Sequence, residues 1–166
     1  EDPLVAASDT ATTNEDTLVT IPVLANDQDL DDGFSLSGVT APALGSVSIN
    51  GNSIDYDPSG AFDFLDVGDT AIETFTYTVT NDDGTTNIAT VSVTVTGVED
   101  PLIATDDTAT TDEDTLVSIS VLNNDQDADD GFSLTSVSPP PLGSVSINGT
   151  TIDYDPSGVF DALDVG

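Results

Sequence analysis

The sequence predicts an all-β protein built from a repeated seven-stranded sandwich. Three observations predict it. The stretch Glu1–Gly68 reappears as Glu99–Gly166 at a constant offset of 98 residues, with 51 of 68 aligned positions identical. Apolar residues alternate with polar ones at period two, the spacing of a strand with one face buried. Turn signals punctuate these runs every 8–12 residues, the rhythm of a β-sandwich. A period of 98 residues is too long for a solenoid and suits one small sandwich domain. The chain thus reads as a complete repeat at 1–98 and an incomplete second repeat at 99–166 that holds the first five strands.

The seven strands are expected near residues 4–12, 17–24, 34–40, 46–50, 53–57, 72–80 and 87–97. Val19, Ile21 and Val23 alternate with small or polar residues. So do Phe75, Tyr77 and Val79, and then Ala89, Val91, Val93 and Val95. Thr90, Ser92, Thr94 and Thr96 fall between the last four and should face water. Asn50-Gly51 and Asn148-Gly149 sit between short apolar alternations, and the Asn-Gly pair favours a type I′ hairpin, in which both turn residues have positive φ. Asp82-Asp83-Gly84 reads as a further hairpin. Strands in this number and rhythm form an immunoglobulin-like or cadherin-like sandwich. The second repeat stops before the counterparts of its last two strands, so its sheets should have open edges. Either the rest of a longer chain or a donated strand from a neighbouring chain would close them.

Composition narrows the function. The chain has 32 acidic residues and no Lys, Arg or His, for a formal charge of −32. Binding to nucleic acid needs Lys or Arg against phosphate and is excluded, and an anionic membrane surface is disfavoured for the same reason. Two acids about 6 Å apart in water repel by only about 0.7 kcal/mol. Summed over many pairs, that approaches the stability of a domain, about 5–15 kcal/mol. Bulk salt or bound cations must relieve it. No apolar run is long enough to span a bilayer, so membrane insertion is not expected. With no Cys there are no disulfides and no thiolate metal sites. The chain begins with Glu rather than Met, so it reads as a fragment or a mature segment. Without His, Cys or Lys, only carboxylates and hydroxyls could catalyse. The acids lie on expected turns rather than in a pocket that would raise a pKa, so no enzyme is expected.

The acids cluster, and the clusters repeat. Asn26-Asp27-Gln28-Asp29-Leu30-Asp31-Asp32-Gly33 recurs as Asn124-Asp125-Gln126-Asp127-Ala128-Asp129-Asp130-Gly131. Acids at alternate positions before a Gly suit a loop that wraps oxygens around Ca²⁺, which takes 6–8 oxygen ligands. The loop is not an EF-hand, because its Gly falls one position late and Gly38 stands where a Glu ligand belongs. Asn14-Glu15-Asp16 matches Asp112-Glu113-Asp114, and Glu1-Asp2-Pro3 matches Glu99-Asp100-Pro101. In a seven-stranded sandwich the first inter-strand loop lies at the end where the chain leaves. The second lies at the end where it arrives. Loop order therefore turns Glu15, Asp16, Glu99 and Asp100 towards the junction between repeats, with Asp125, Asp127 and Asp129 approaching from the next. The candidate Ca²⁺ ligands are Glu15, Asp16, Asp27, Asp29, Asp31, Glu99, Asp100, Glu113, Asp114, Asp125, Asp127 and Asp129.

Three stretches carry a family resemblance. They are Asp106-Asp107-Thr108-Ala109-Thr110-Thr111-Asp112-Glu113-Asp114-Thr115, Val121-Leu122-Asn123-Asn124-Asp125 and Thr74-Phe75-Thr76-Tyr77-Thr78-Val79. Together they resemble bacterial cadherin-like and VCBS-type repeats of large secreted or surface adhesins. The resemblance implies a β-sandwich, Ca²⁺ within or between repeats, and a role as spacer, adhesive or matrix element outside the bacterial cell. Members of those families commonly read Asp-x-Asp-Gly-Asp in the acidic loop, where this chain has Asp31-Asp32-Gly33. The expected function is a calcium-stiffened repeat whose partners are the neighbouring repeats of its own protein. One alternative is a filament subunit that polymerises by strand donation. Another is a carbohydrate-binding module, although the chain has no Trp and Tyr56 and Tyr154 share a strand face with core residues Ile54 and Ile152. Asn148-Gly149-Thr150 matches a glycosylation sequon, and the Thr and Ser rows could carry O-glycans.

Overall fold

The computed structural model describes residues 2–30, 33–158 and 160. Two compact units divide the chain, Glu1–Glu99 and Asp100–Gly166. Among the described residues the regular structure is strand, apart from one 3-10 turn at Val23–Ala25.

The first unit holds seven strands: β1 (Asp9–Asn14), β2 (Val19–Ile21), β3 (Phe34–Val39), β4 (Ser46–Asn50), β5 (Ser53–Asp57), β6 (Thr70–Asn81) and β7 (Thr86–Thr96). They form two sheets, β1-β7-β6-β3 and β2-β5-β4. The first and last strands run parallel side by side, and the remaining pairings are antiparallel. This is an immunoglobulin-like β-sandwich.

Period-two alternation builds the core. On β6, Phe75, Tyr77 and Val79 point inward, and on β7 Ala89, Val91, Val93 and Val95 do so. Thr and Ser at the intervening positions stay half-buried or exposed. The register sets Tyr77 opposite Ala89 and Phe75 opposite Val91, so a large ring on one strand meets a small side chain on the next. From the other sheet Ile54 and Tyr56 are fully buried, and the Tyr56 ring stacks against Phe75 with centroids 5.9 Å apart. Each such apolar side chain contributes about 1.5–3 kcal/mol on burial. The segment between β5 and β6 also feeds the core. Successive tight turns (Ala61 N–H to Pro58 O, Leu65 N–H to Phe62 O, Asp69 N–H to Asp66 O) bring Phe62 and Leu65 inward and leave Phe64 exposed.

Three features differ from the sequence expectation. The strand expected to run through Val23 stops at Ile21. Val23 reaches the core from the 3-10 turn, where it is wholly buried. The strand expected from Leu4 begins only at Asp9, and the earlier segment makes a single bridge, Val5 to Gln28. The third concerns the hairpins. Asn50 pairs with Ser53, so the two-residue loop is Gly51-Asn52, with positive φ at Gly51 (62°) and not at Asn50 or Asn52. Asn148 likewise pairs with Thr151 around Gly149, whose φ is 66°. Positive φ at the first loop position alone is the type II′ pattern, not type I′. Keeping Asn50 in the ladder lets its side-chain amide donate to Asp55 Oδ2.

The second unit repeats one sheet and not the other. Strands β8 (Val117–Ile119), β9 (Ser144–Asn148) and β10 (Thr151–Asp155) pair as β8-β10-β9, in the registers of β2-β5-β4. Residues 107–112 and 132–137 align with β1 and β3 yet form no strand. Among the described residues three strands form where five were expected. The reason lies in the pairing. β1 is held by β7 and β3 by β6, and no residue of this sequence aligns with β6 or β7 in the second unit. The three strands that form find all their partners within the repeated stretch.

Candidate metal centres

In the first unit the acidic loop is tied into the core from one side. Asp27 is buried, at 7% exposure. Its Oδ1 accepts the Ala7 N–H at 2.7 Å. The Tyr77 hydroxyl lies 3.0 Å from Asp27 Oδ1 and 3.2 Å from Oδ2, and also 2.9 Å from Ala7 O and 3.0 Å from Val23 O. One phenolic hydrogen thus faces several acceptors. Asp9 completes the group from β1. Burial pushes its carboxyl above the ordinary value, a hydrogen bond from Tyr77 pulls it down, the Asp27 charge raises it, and a hydrogen bond from Asn26 lowers it. Burial raises the Tyr77 phenol far above its ordinary range, reinforced by Asp9 and Asp27. Next to this group the Asn81 side-chain amide donates to Asp29 Oδ2 at 3.2 Å. Asp31 lies outside the described residues.

Glu15 sits at the opposite end of the same unit. It is fully buried, and its Oε1 accepts the Val98 N–H at 2.7 Å, while its own N–H donates to Thr96 O. Glu15 therefore closes the end of β7 where the chain leaves the unit. Asp16 beside it is exposed, as is Glu99, the last residue of the unit.

In the second unit the matching loop lies where the chain arrives. Ile103 bridges Gln126, and Asp125 Oδ1 accepts the Thr105 N–H at 2.8 Å. The Asp100 N–H reaches Asp129 Oδ2 at 3.3 Å, and the Asp130 N–H reaches Asp127 Oδ1 at 3.3 Å. Asp129 Oδ1 is buried and accepts no hydrogen bond from any described residue. A carboxylate oxygen removed from water without a donor is favoured by a cation placed against it. The donor set here is all oxygen, which is what a hard divalent cation takes and what a soft metal avoids. Asp100 is thus tied to Asp129, and carboxylate oxygens of Asp129 and Asp130 lie within 4.8 Å of each other on this loop, while Asp127 is tied to the Asp130 N–H. Glu113 is half-buried and Asp114 exposed, on a separate turn that aligns with Glu15 and Asp16.

Sequence reasoning passed over Asp9, Tyr77 and Glu73 as polar anchors. Glu73 is 7% exposed on the inner face of β6, and its two carboxylate oxygens accept the N–H groups of Ala43 (2.9 Å) and Leu44 (3.2 Å). Tyr56 donates its hydroxyl to Leu44 O at 3.1 Å, so both side chains hold one turn. Burial, with the charges of Glu73 and Asp57, pushes the Tyr56 phenol up to about 12, so it remains a donor. The available signal was phase, since Glu73 alternates in step with the inward Phe75 and Tyr77. A sugar platform gains nothing from these aromatics, because Tyr56, Tyr77, Phe62 and Phe75 are all buried.

Comparison with known proteins agrees with the fold. None of the curated proteins compared with the chain matched it. A family model described as "Bacterial Ig domain" matches residues 1–94 and again residues 99–165. Bacterial Ig domains are structural, non-catalytic folds typically found in surface or extracellular proteins. With almost its whole length matched, twice over, by that description, the chain belongs to the bacterial Ig domain family.

Proposed function

We propose that this chain is a calcium-binding structural repeat of an extracellular bacterial surface protein, a stiff spacer of the cadherin-like, VCBS-type kind within an adhesin or fibre. The observation that carries the calcium part is Asp129. Its buried Oδ1 has no donor among the described residues, its Oδ2 accepts from the Asp100 N–H, and an Asp130 carboxylate oxygen lies within 4.8 Å, in a chain without Lys, Arg or His. Ca²⁺ would supply the charge that the sequence lacks and draw loop and incoming chain together. Asp100, Asp127 and Asp129 would hold it in the second unit. Asp2, Asp29 and Asp31 are the aligned acids of the first. Ion binding to the folded state alone stabilises it, by about 2.7 kcal/mol per independent site at a hundredfold excess over Kd. Extracellular calcium modules bind at about 10⁻⁴–10⁻³ M, so millimolar Ca²⁺ is the relevant range.

The test is a calorimetric Ca²⁺ titration paired with thermal melts. Millimolar Ca²⁺ should raise the melting temperature and EDTA should reverse the rise. Asp129→Asn should weaken the binding, whereas Asp83→Asn, on an exposed turn between β6 and β7, should not. A melting curve indifferent to both Ca²⁺ and EDTA would refute the proposal.

A further inference from the structure

Among the asparagines of the chain, Asn50 and Asn148 alone precede a glycine. They occupy the same place in the two units, the last residue of β4 and of β9, each at the mouth of a two-residue hairpin loop. Asn50, Gly51, Asn148 and Gly149 are all exposed. A Cβ built on Gly51 or Gly149 would meet nothing within 4 Å, so no neighbour shields the peptide nitrogen that follows either asparagine on that side. Glycine also puts no side chain of its own beside that nitrogen and leaves the backbone free to turn.

Both amides are held in the same way. Asn50 Nδ2 donates to Asp55 Oδ2 at 2.9 Å, and Asn148 Nδ2 donates to Asp153 Oδ2 at 3.0 Å. The receiving carboxylates are fixed in turn from the strand beyond. Thr20 Oγ1 donates to Asp55 Oδ1 at 2.6 Å, and Ser118 Oγ donates to Asp153 Oδ1. In each unit a hydroxyl, a carboxylate and an amide therefore form one line across the three-stranded sheet.

We propose that Asn50 and Asn148 are the deamidation sites of this chain, and that Asp55 and Asp153 set the rate by tethering the amide that must leave. The deprotonated peptide nitrogen of Gly51 attacks Asn50 Cγ. The Cγ–Nδ2 bond breaks, and Nδ2 departs as ammonia with a proton taken from water, which replaces the one the glycine nitrogen gave up. A five-membered succinimide remains, and water opens it to aspartate or isoaspartate. One water enters, one ammonia leaves, and nothing is oxidised. The tether opposes the first step, because the charge-assisted bond to Asp55 must break before Cγ can turn to the nitrogen. The product sets a second carboxylate against Asp55 in a chain without Lys, Arg or His. Isoaspartate also adds a carbon to the backbone beside the closing pair Asn50–Ser53, so the reaction loosens the hairpin from its tip.

The test ages the full chain in mildly alkaline buffer and follows the amide-to-acid mass gain at each asparagine by peptide mass spectrometry. Asn50 and Asn148 should convert before the others. Asp55→Ala should speed conversion of Asn50 by roughly tenfold or more, the change expected from losing a hydrogen bond to a charged group, and leave Asn148 unchanged. Asp153→Ala should do the reverse, so each unit is the control for the other. Asp55→Asn keeps an acceptor oxygen in place and should hold the rate well below that of Asp55→Ala. Amide exchange along β4 and β5 separates release of the tether from opening of the hairpin, and should not change. The proposal is overturned if another asparagine converts first, or if Asp55→Ala leaves Asn50 at its former rate or speeds both tips alike. It is equally overturned if Asp55→Asn is as fast as Asp55→Ala, or if faster conversion comes with faster exchange across the whole hairpin.

Discussion

Single residues in the first unit carry opposite burdens. Asp9 is held where burial and the neighbouring Asp27 raise its carboxyl above the unfolded value of 3.8. A raised carboxyl costs stability when ionised. The cost is present at neutral pH, shrinks as pH falls through the folded pKa, and is gone below 3.8. Asp9→Asn should therefore stabilise the chain at pH 7 and flatten its gain in stability on mild acidification. Urea unfolding at several pH values checks both, and an unchanged pH profile would remove Asp9 as the cause. Gly97 bears a steric burden instead. It is buried at the end of β7, where its N–H donates to Asp69 O and its carbonyl accepts from Gly68 N–H. A Cβ built there would stand 2.4 Å from Asp66 O and 2.7 Å from Leu65 O, both backbone atoms that cannot swing aside. Gly97→Ala should cost about 1–3 kcal/mol, the scale of overpacking, read as a lower denaturation midpoint. The equivalent change at Gly51, whose Cβ meets nothing within 4 Å, isolates the cost of its positive φ.

At the scale of elements, buried carboxylates act as splints for loops. Glu73 on β6 pins the turn at Ala43 and Leu44, and Glu15 pins the chain at Val98. Backbone N–H groups stand in for the basic residues that the chain lacks. Glu73→Ala should release the turn before β4 and cost about 1–3 kcal/mol through the N–H groups left without an acceptor. Faster amide exchange confined to residues 41–46 would distinguish this from a general loss of packing. The elements also show why the second unit has one sheet. Its β8-β10-β9 sheet draws every partner from within the repeated stretch. Among the described residues the strand-like segments at 107–112 and 132–137 pair with no strand, and alternation alone does not make one.

Across the whole molecule, the charge of −32 sets how stability responds to ions. Raising NaCl from about 10 mM to 1 M shortens the screening length from about 30 Å to about 3 Å. The melting temperature should climb over that range. It should climb further with millimolar Ca²⁺ than with NaCl of equal ionic strength if specific sites contribute beyond screening. A melting temperature that does not respond to NaCl would show that mutual repulsion is not what limits the fold. The repeat, the all-β class and the inward rows of β6 and β7 were legible in the sequence because each depends on local period. The expected limits of β4 and β5 matched for the same reason. Other features were not legible. Val23 keeps its buried place from a 3-10 turn, the hairpin loop is Gly51-Asn52, and Asp27 accepts its bonds from residues as distant as Tyr77. The acidic loops could be named from their spacing. Which carboxylates would be spent on backbone amides, and which left facing one another, could not. The sequence by itself determined the repeat, the class and the charge, because these are sums and periods along the chain. Only the tertiary structure decided which acids are buried and which strands form, because both depend on partners from 20 to 83 residues away.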